Sequence, residues 1–377
     1  MNKQRMLSLL LALAMVLGLA ACSGGGSEPT SAPTPSETAD AAAQESSASE
    51  TETEEEVPET TVIRWARGNS GNAMVTVAKK LGYFDEVGLT VEEIPLDATA
   101  DAFAALAAGQ VDVLSNYGTN QPLQYIATGE DVVIFGGHMI TGCMPIIAKA
   151  GTEWNGIEDF VGKTIAAPAS TYAATGALLE LGHDPMTEVE WLTLPNQSDR
   201  VAAVVSGEAD YGVIGTGQMY SVLNMDDIDI MCYLSDVMPN YSCCRMETRS
   251  DFIENNPTTV KLLLKALLRA QCYYESHKEE VVGWMAEELG TTEDYVAAYM
   301  LNEHYRINLD PSRQPTHRAW EYMAETGFLD DNAAQINLDD HINTELYKQA
   351  LDETIAEHYD EDPEFYDSML EFYEANN

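Results

Sequence analysis

The sequence predicts a two-lobed α/β protein that carries further helices at its carboxyl end. The chain has 377 residues, whereas a single hydrophobic core stops growing near about 250–300 residues, so more than one lobe is expected. Strand and helix patterns alternate from residue 61, and the same order restarts near residue 164. This alternation is typical of mostly parallel sheets joined by crossover helices. With 45% hydrophobic residues, the chain has enough apolar side chains to fill such cores.

The negative charge of the chain excludes several classes of partner. There are 62 Asp and Glu residues against 19 Lys and Arg, which gives a formal net charge of -43. Nucleic-acid binding requires a basic face that displaces counterions from phosphates, and docking on anionic lipid requires a basic surface as well. We therefore predict an acidic globular protein without a nucleic-acid partner. Six cysteines are too few for a disulfide-based scaffold.

Residues 1–21 are typical of a lipoprotein signal peptide. Lys3 and Arg5 give a positive start, and the apolar run over residues 7–19 is too short to span a bilayer stably. The run leads into residues 19–22 (LAAC), which resemble the bacterial lipobox. This resemblance implies cleavage before Cys22 and a thioether-linked lipid on its sulfur. The alternative is an ordinary signal peptide with a cysteine nearby by chance.

Residues 22–60 predict a disordered acidic linker that hangs from the lipid anchor. The segment consists mainly of Gly, Ser, Thr, Pro, Ala and Glu, with ten acidic residues and no basic one. Such a composition buries too little apolar surface to offset the entropy lost on ordering. A globular part is expected to follow it.

Residues 61–150 predict the first part of lobe one. Glycines follow two helical patterns, at residues 74–81 and 98–108, as helix carboxyl ends prefer. Apolar and β-branched residues cluster or alternate in five short segments, which predict strands at residues 62–66, 89–94, 111–114, 131–135 and 144–149.

Residues 151–238 predict lobe two, because they repeat the order of lobe one. Strands are expected at residues 164–167, 189–194 and 209–214, with one helix opening at residues 170–172 and another ending at Gly207. Residues 107–113 (AAGQVDV) align with residues 205–211 (VSGEADY) at an offset of 98.

The two aspartates of this repeat, Asp112 and Asp210, stand at matching points just before a strand. We expect both carboxylates to be structural and to accept hydrogen bonds from nearby backbone N–H groups.

Residues 239–377 predict a return to lobe one followed by helices. A strand is expected at residues 241–249, and a long helix is expected to begin at Pro257 after Asn256, which is a favourable pair for a helix start. Apolar residues between Val260 and Leu268 recur on one helical face, which predicts packing against the core.

Candidate ligand-binding residues lie where ligands bind in α/β sheets, beyond the carboxyl ends of strands and beside helix starts. Facing lobes would form one cleft from these edges. The candidates in the loops at those positions are Arg67, Asn69, Ser70, Asn116, Tyr117, Thr119, His138, Ser170, Thr171, Tyr172, Asn196 and Thr216.

Several of these candidates have an alternative role. Ser170 and Thr171 suit an anion bound at a helix start, and they suit helix capping equally well. Arg67 would hold a carboxylate, sulfonate or nitrate bidentately, or it would pair with a neighbouring acid. His138 is a candidate contact in a glycine-rich loop, but it lacks the closely spaced partners of a metal site. We predict no metal, no cofactor and no catalytic residue.

Four motifs resemble those of ABC-transporter substrate-binding proteins of the nitrate/sulfonate/taurine type, the NMT1/THI5-like family. They appear in the family's order, as residues 81–89 (LGYFDEVGL), 108–113 (AGQVDV), 160–166 (FVGKTIA) and 251–257 (DFIENNP). The resemblance implies the type II periplasmic-binding-protein (venus-flytrap) fold. It also implies a monomer on the outer face of the bacterial cytoplasmic membrane that delivers a small solute to the permease subunits of an ABC importer.

Two other functions stay open at this point. Eukaryotic THI5-type pyrimidine synthases carry a cysteine-rich cluster associated with iron, whereas this chain has only Cys243 and Cys244 at the comparable position. A surface scaffold without a ligand is the third possibility. Among solutes, we favour an organic ligand with a planar or amphipathic body over bare nitrate, because Trp65, Tyr117 and Tyr172 offer aromatic faces and Arg67 is the one evident cation.

Overall fold

Two five-stranded sheets organise the part of the chain that the structure, a computed structural model, describes: residues 56–68, 70–194 and 196–377. The predicted signal peptide, Cys22 and most of the predicted linker lie outside the described residues, as does Asn69. Twelve strands occur in the described part. In chain order they are β1 Val62–Arg67, β2 Thr90–Pro95, β3 Val113–Ser115, β4 Val133–Gly137, β5 Met139–Thr141, β6 Pro145–Lys149, β7 Thr164–Ala166, β8 Glu190–Trp191, β9 Tyr211–Val213, β10 Ile228–Tyr233, β11 Arg245–Thr248 and β12 Arg306–Ile307.

Both sheets have the same plan. The strand order is β2-β1-β3-β11-β4 in sheet one and β8-β7-β9-β6-β10 in sheet two. In each sheet a single strand, β11 or β6, runs antiparallel to the other four. Each of these strands arrives from the opposite sheet. The internal repeat is therefore a repeat of sheet topology, with one strand exchanged in each direction.

The position of β6 differs from the expectation. We expected the strand near residues 144–149 to lie in the first lobe, but β6 pairs with β9 and β10 in sheet two. The chain therefore crosses from sheet one to sheet two after β4. The sequence pattern predicts that it crosses one strand later, after the strand at residues 144–149. The return strand is as predicted, since β11 lies between β3 and β4 of sheet one.

Sixteen helices cover the sheets of the described part. They are α1 Ala73–Leu81, α2 Tyr83–Glu86, α3 Thr99–Ala107, α4 Asn120–Ala127, α5 Tyr172–Glu180, α6 Pro185–Glu188, α7 Gln197–Ser206, α8 Met219–Leu223, α9 Leu234–Val237, α10 Ser250–Asn255, α11 Pro257–Ser276, α12 Lys278–Leu289, α13 Glu293–Met300, α14 Arg313–Glu325, α15 Glu345–His358 and α16 Pro363–Asn376. Short 3-10 helices lie at Ile157–Phe160, Thr216–Gln218, Asp331–Gln335, Leu338–His341 and Tyr359–Glu361.

The sequence signals for helix ends hold at α1 and α7. Gly82 and Gly207 cap these helices in the left-handed conformation, with φ of 78° and 81°, which glycine adopts without steric cost. The predicted apolar stripe of α11 is fully buried from Val260 to Leu268, and α11 packs against α1 and α15. No helix within the described residues has the length and apolar character that crossing a bilayer would require.

The end of the predicted linker is ordered, which corrects its boundary. The Glu59 carboxylate accepts hydrogen bonds from the backbone N–H groups of Thr258 (3.0 Å) and Thr259 (2.8 Å) in the first turn of α11. Glu56 pairs with Lys261 at 2.6 Å. Residues 56–60 are therefore part of the folded unit, because the free N–H groups at a helix start bind a carboxylate favourably.

Two hydrogen-bonded crossing segments, residues 138–144 and 238–244, connect the sheets. His138 N–H donates to Cys244 O (3.1 Å), and Cys244 N–H donates to Met139 O (3.0 Å). The short strand β12 pairs with β5, which is part of the crossing segment 138–144. We call residues 145–237 the second half of the protein and the remaining described residues the first half.

Candidate functional site

A cavity of about 800 Å³ lies between the two halves of the protein. Its wall includes residues from the loops that follow strands of both sheets: Gly68 after β1, Asp97 after β2, Asn116 after β3, Pro168 after β7, Asn196 after β8 and Gly215 after β9. Carboxyl ends of parallel strands meet at one sheet edge, so the two sheets present equivalent edges to one space.

Nine of the twelve candidate ligand-binding residues line this cavity. Both halves contribute, and the nine are Ser70, Asn116, Tyr117, Thr119, Ser170, Thr171, Tyr172, Asn196 and Thr216. Ligand contact by each of them stays a prediction. Asn69 lies outside the described residues, and the remaining two candidates are placed elsewhere.

Arg67 pairs with an acid instead of facing the cavity. Its Nε lies 3.5 Å from Glu93 Oε1 on the neighbouring strand β2, and Lys79 Nζ lies 2.6 Å from Glu93 Oε2. Arg67 is not among the described residues that line the cavity. Of its two possible roles, the structure therefore contains the ion pair.

His138 is fully buried in its crossing segment and is not among the described cavity-lining residues. Its backbone N–H donates to Cys244 O, and its carbonyl accepts from Asn308 N–H beside β12. Within the described part of the chain, neither ring nitrogen has a hydrogen-bond partner. Burial, with a contribution from the nearby Arg245 charge, lowers the pKa of His138 to about 3, so the ring is neutral. Strand β12, which covers the segment, was not foreseen.

The starts of three helices line the cavity. Thr119 directly precedes α4 in the first half, while Thr171 and Asn196 directly precede α5 and α7 in the second half. The Thr171 hydroxyl donates to Pro168 O at 2.7 Å. Partial positive charge at helix starts favours anionic or hydrogen-bond-accepting groups. The cavity therefore favours a ligand with hydrogen-bond acceptors, although the chain as a whole is strongly acidic.

Arg200 is a cavity residue that sequence reasoning missed. Among the described residues, it is the one arginine or lysine that lines the cavity. Its Nε donates to Leu194 O (3.0 Å) and its Nη1 to Val213 O (3.2 Å), and partial burial lowers its pKa below the usual arginine range. The sequence spacing could have indicated Arg200, because a residue four positions after Asn196 lies on the same face of a helix.

The aromatic candidates divide between cavity and core. The Tyr117 hydroxyl donates to Leu96 O (2.8 Å), and the Tyr172 hydroxyl bonds to the Tyr241 and Ser242 carbonyls of a crossing segment. Trp65, in contrast, is fully buried and donates from Nε1 to Ser115 Oγ (2.9 Å). Tyr295, which we had not considered, also lines the cavity.

Two adjacent thiols, Cys243 and Cys244, form part of the wall. Their sulfur atoms lie 3.7 Å apart. A hydrogen bond from the Cys244 thiol, supported by the Tyr241 hydroxyl and the Arg245 charge, outweighs burial and lowers the pKa of Cys243. The described residues contain no group of three or more His, Cys, Asp or Glu side chains arranged to hold a metal ion.

The family assignment rests on a match over residues 69–281, which is more than half of the chain, to the family described as NMT1/THI5 like. The chain belongs to the NMT1/THI5-like family. This confirms the resemblance that the four motifs indicated. No protein with a curated description matches the sequence.

Solved structures with the same fold superpose on most of the chain. The aliphatic sulphonate binding protein SsuA of Escherichia coli superposes with a TM-score of 0.62 at 17% identity, covering 72% of this chain and 89% of SsuA. The nitrate-binding protein NrtA of Synechocystis PCC 6803 gives 0.62 at 16%, covering 79% and 90%. The Candida albicans CA3427 product, described as having the generic periplasmic binding protein fold, gives 0.57 at 13%, covering 76% and 97%. The predicted fold class is thereby confirmed.

Proposed function

We propose that this member of the NMT1/THI5-like family is an extracytoplasmic solute-binding lipoprotein that delivers a small organic or anionic solute to an ABC importer. The observation that carries the proposal is the cavity of about 800 Å³ between two equivalent sheet edges. Its size falls within the range of about 300–1,000 Å³ that is common for small-molecule sites. A solute held there touches both halves and stabilises whichever relative arrangement gives it the larger number of contacts.

The chemistry of the wall favours an organic solute with a polar or anionic group. Arg200 and the starts of α5 and α7 offer donors from the second half, while Tyr117 and Asp97 line the first half. Bare nitrate is too small to reach both sides of a space of this volume. A sulfonate or a pyrimidine-like heterocycle fits better, because a planar or amphipathic body contacts the tyrosine rings while its polar group meets the donors.

The route to the importer follows from the amino-terminal pattern. Lipid on Cys22 would hold the protein on the outer face of the cytoplasmic membrane, and the linker would allow a monomeric receptor to reach the permease. Release requires that the halves separate. The crossing segments 138–144 and 238–244 are the described connections between the sheets that suit a hinge, because hinges consist of a few residues between rigid elements.

Native mass spectrometry of the full chain, purified in detergent, tests the proposal by detecting the solute that it retains. Calorimetry with propanesulfonate, nitrate and a hydroxymethylpyrimidine then ranks the classes. We expect Arg200→Gln to weaken binding of an anionic probe by about tenfold or more, since charge-assisted hydrogen bonds contribute about 1.5–3 kcal/mol. Arg318→Gln, in an arginine outside the cavity that donates to Pro239 O, is the matched control.

Two results would contradict the proposal. One is the absence of any bound solute together with no heat from any of the three probes. The other is tight nitrate binding that Tyr117→Ala and Tyr172→Ala leave unchanged, which would remove the preference for an organic body.

The enzyme alternative rests on Cys243 and Cys244. Iron of the kind associated with eukaryotic THI5-type synthases does not fit the described residues, because the two thiols have no third ligand arranged beside them. Metal analysis of protein purified with and without oxygen distinguishes the two functions. Stoichiometric iron that is lost in Cys243→Ser/Cys244→Ser would favour the enzyme over the receptor.

A further inference from the structure

Helix α13 contributes a wall of the cavity from outside the family-matched part of the chain. The match ends at residue 281, whereas α13 covers Glu293–Met300. Thr292 caps this helix, accepting from Tyr295 N–H at 3.3 Å. Tyr295 lies in the first turn of the helix and lines the cavity. None of the twelve candidate ligand-binding residues comes from this region.

The Tyr295 side chain joins the two halves of the protein. Its hydroxyl donates to the carbonyl of Gly217 at 3.2 Å, and Gly217 belongs to the 3-10 helix that follows β9 in the second half. The Tyr295 ring meets that of Tyr220 edge-on, with centroids 6.3 Å apart and an interplanar angle of 60°. Burial raises the pKa of Tyr295, so the hydroxyl keeps its proton and remains a donor.

Apolar packing between α8 and α13 accompanies this hydrogen bond. Met219, the first residue of α8 in the second half, is fully buried in the same apolar cluster as Val296, Tyr299 and Met300 of α13. Separation of the halves at this edge would expose Met219 to water. Returning an apolar side chain of this size to water is unfavourable, so the edge resists opening.

We propose that α13 is a latch of the binding site, in which Tyr295 closes the cavity over the solute by bonding to Gly217. The latch deepens the proposed function and rests on it, because it determines how long a captured solute stays bound. It forms when the second half approaches α13, and it breaks when the halves separate. Gly217 is suited to this role, since a Cβ at that position would lie 3.2 Å from the Tyr295 hydroxyl oxygen.

Hydrogen–deuterium exchange of the full chain, measured without added solute, tests the latch. Tyr295→Phe removes one hydroxyl, and a hydrogen bond contributes about 0.5–1.5 kcal/mol. We therefore expect exchange in peptides covering residues 215–223 to accelerate about two- to tenfold. Gly217→Ala places a Cβ against the Tyr295 hydroxyl, so it disturbs the same contact and should give the same pattern. Tyr359→Phe, which removes a surface hydroxyl bonded to Asp367, is the control and should leave these peptides unchanged.

The outcomes separate the latch from the proposed function. Acceleration confined to residues 215–223 and α13 in both variants supports the latch. Unchanged exchange in both variants, or equal acceleration throughout the chain, overturns it. The exchange experiment needs no solute, so it does not depend on the proposed function. Failure of the proposed function would instead appear in the calorimetry, as a wild-type protein that binds no probe.

Discussion

Asp112 and Asp210 perform the same backbone task in the two sheets. Asp112 Oδ2 accepts from the N–H of Arg64 in β1 (2.9 Å), and Asp210 Oδ2 accepts from the N–H of Thr164 in β7 (3.0 Å). In return, the N–H of each aspartate donates to the carbonyl of the same strand residue. The structural role expected for both carboxylates is thus confirmed, and the internal repeat extends to single hydrogen bonds.

The first prediction is that these equivalent aspartates differ in their contribution to stability. The Asp112 side chain is 5% exposed and is held by the Arg64 guanidinium, whereas that of Asp210 is 45% exposed with Lys163 at 3.7 Å. We expect Asp112→Ala to lower the free energy of unfolding by about 2–3 kcal/mol and Asp210→Ala by less than about 1 kcal/mol. Urea unfolding measures both variants. Equal losses would show that burial does not distinguish the two sites.

Much of the fold could be predicted because its signals are local. Gly82 and Gly207 end their helices where glycine is needed for a left-handed residue, and Pro257 begins α11. The exchange of β6 and β11 is a long-range event. The sequence showed one half of it, the return strand, because that strand follows the second repeat. Nothing local distinguishes β6 from a fifth parallel strand of the first sheet.

The candidate site was predictable to the extent that it depends on strand ends. Asn116 and Thr216 line the cavity because they follow strands at equivalent edges of the two sheets. Arg67 and His138 also stand near strand ends, but Glu93 pairs with the first and β12 covers the second. Tyr295 comes from a helix far along the chain, so only the three-dimensional structure brings it to the cavity.

The second prediction concerns the pH dependence of the Glu59 contact with α11. Burial acts to raise the pKa of Glu59, but hydrogen bonds from Thr258 and Thr259 outweigh it and lower the pKa to about 2. The folded-state pKa is below the ordinary value of 4.5, so the stabilisation is present above about pH 4.5 and is lost as pH falls towards 2. We expect Glu59→Gln to cost about 0.5–1 kcal/mol at pH 7 and progressively less as pH falls towards 2.

Urea unfolding across this pH range, beside the exposed-residue control Glu254→Gln, measures the effect. A difference between wild type and Glu59→Gln that stays constant with pH would contradict the ionised contact.

The third prediction concerns Glu247, a buried acid on β11. Its side chain is fully buried, and neither carboxyl oxygen has a hydrogen-bond partner among the described residues. Burial raises the pKa of Glu247 well above its ordinary value, although the nearby Arg245 charge opposes this. The folded state therefore holds this proton to a higher pH than the unfolded state does. Stability should fall as pH rises above about 4.5, by at most about 1.4 kcal/mol per pH unit from this group.

Glu247→Gln removes that titration while keeping the shape of the side chain. We expect the variant to gain stability relative to wild type as pH rises from 5 to 8, measured by thermal and urea unfolding. A variant that loses stability relative to wild type over this range would indicate that the carboxylate is ionised in the fold.

The last prediction is that Cys243 reacts before the other described thiols. Cys243 lines the cavity, and the Cys244 hydrogen bond lowers its pKa, so it holds more thiolate at a given pH. Burial raises the pKa of Cys232 to about 12 and that of Cys272 to about 11, and it also raises the pKa of Cys143. Iodoacetamide labelling at pH 7.5, followed by peptide mass spectrometry, should modify Cys243 first, and Cys243→Ser should remove the fast phase. A solute seated in the cavity should slow the labelling, since it blocks access to this sulfur. Faster labelling of Cys232, which does not line the cavity but is also partly exposed, would show that exposure alone controls reactivity here.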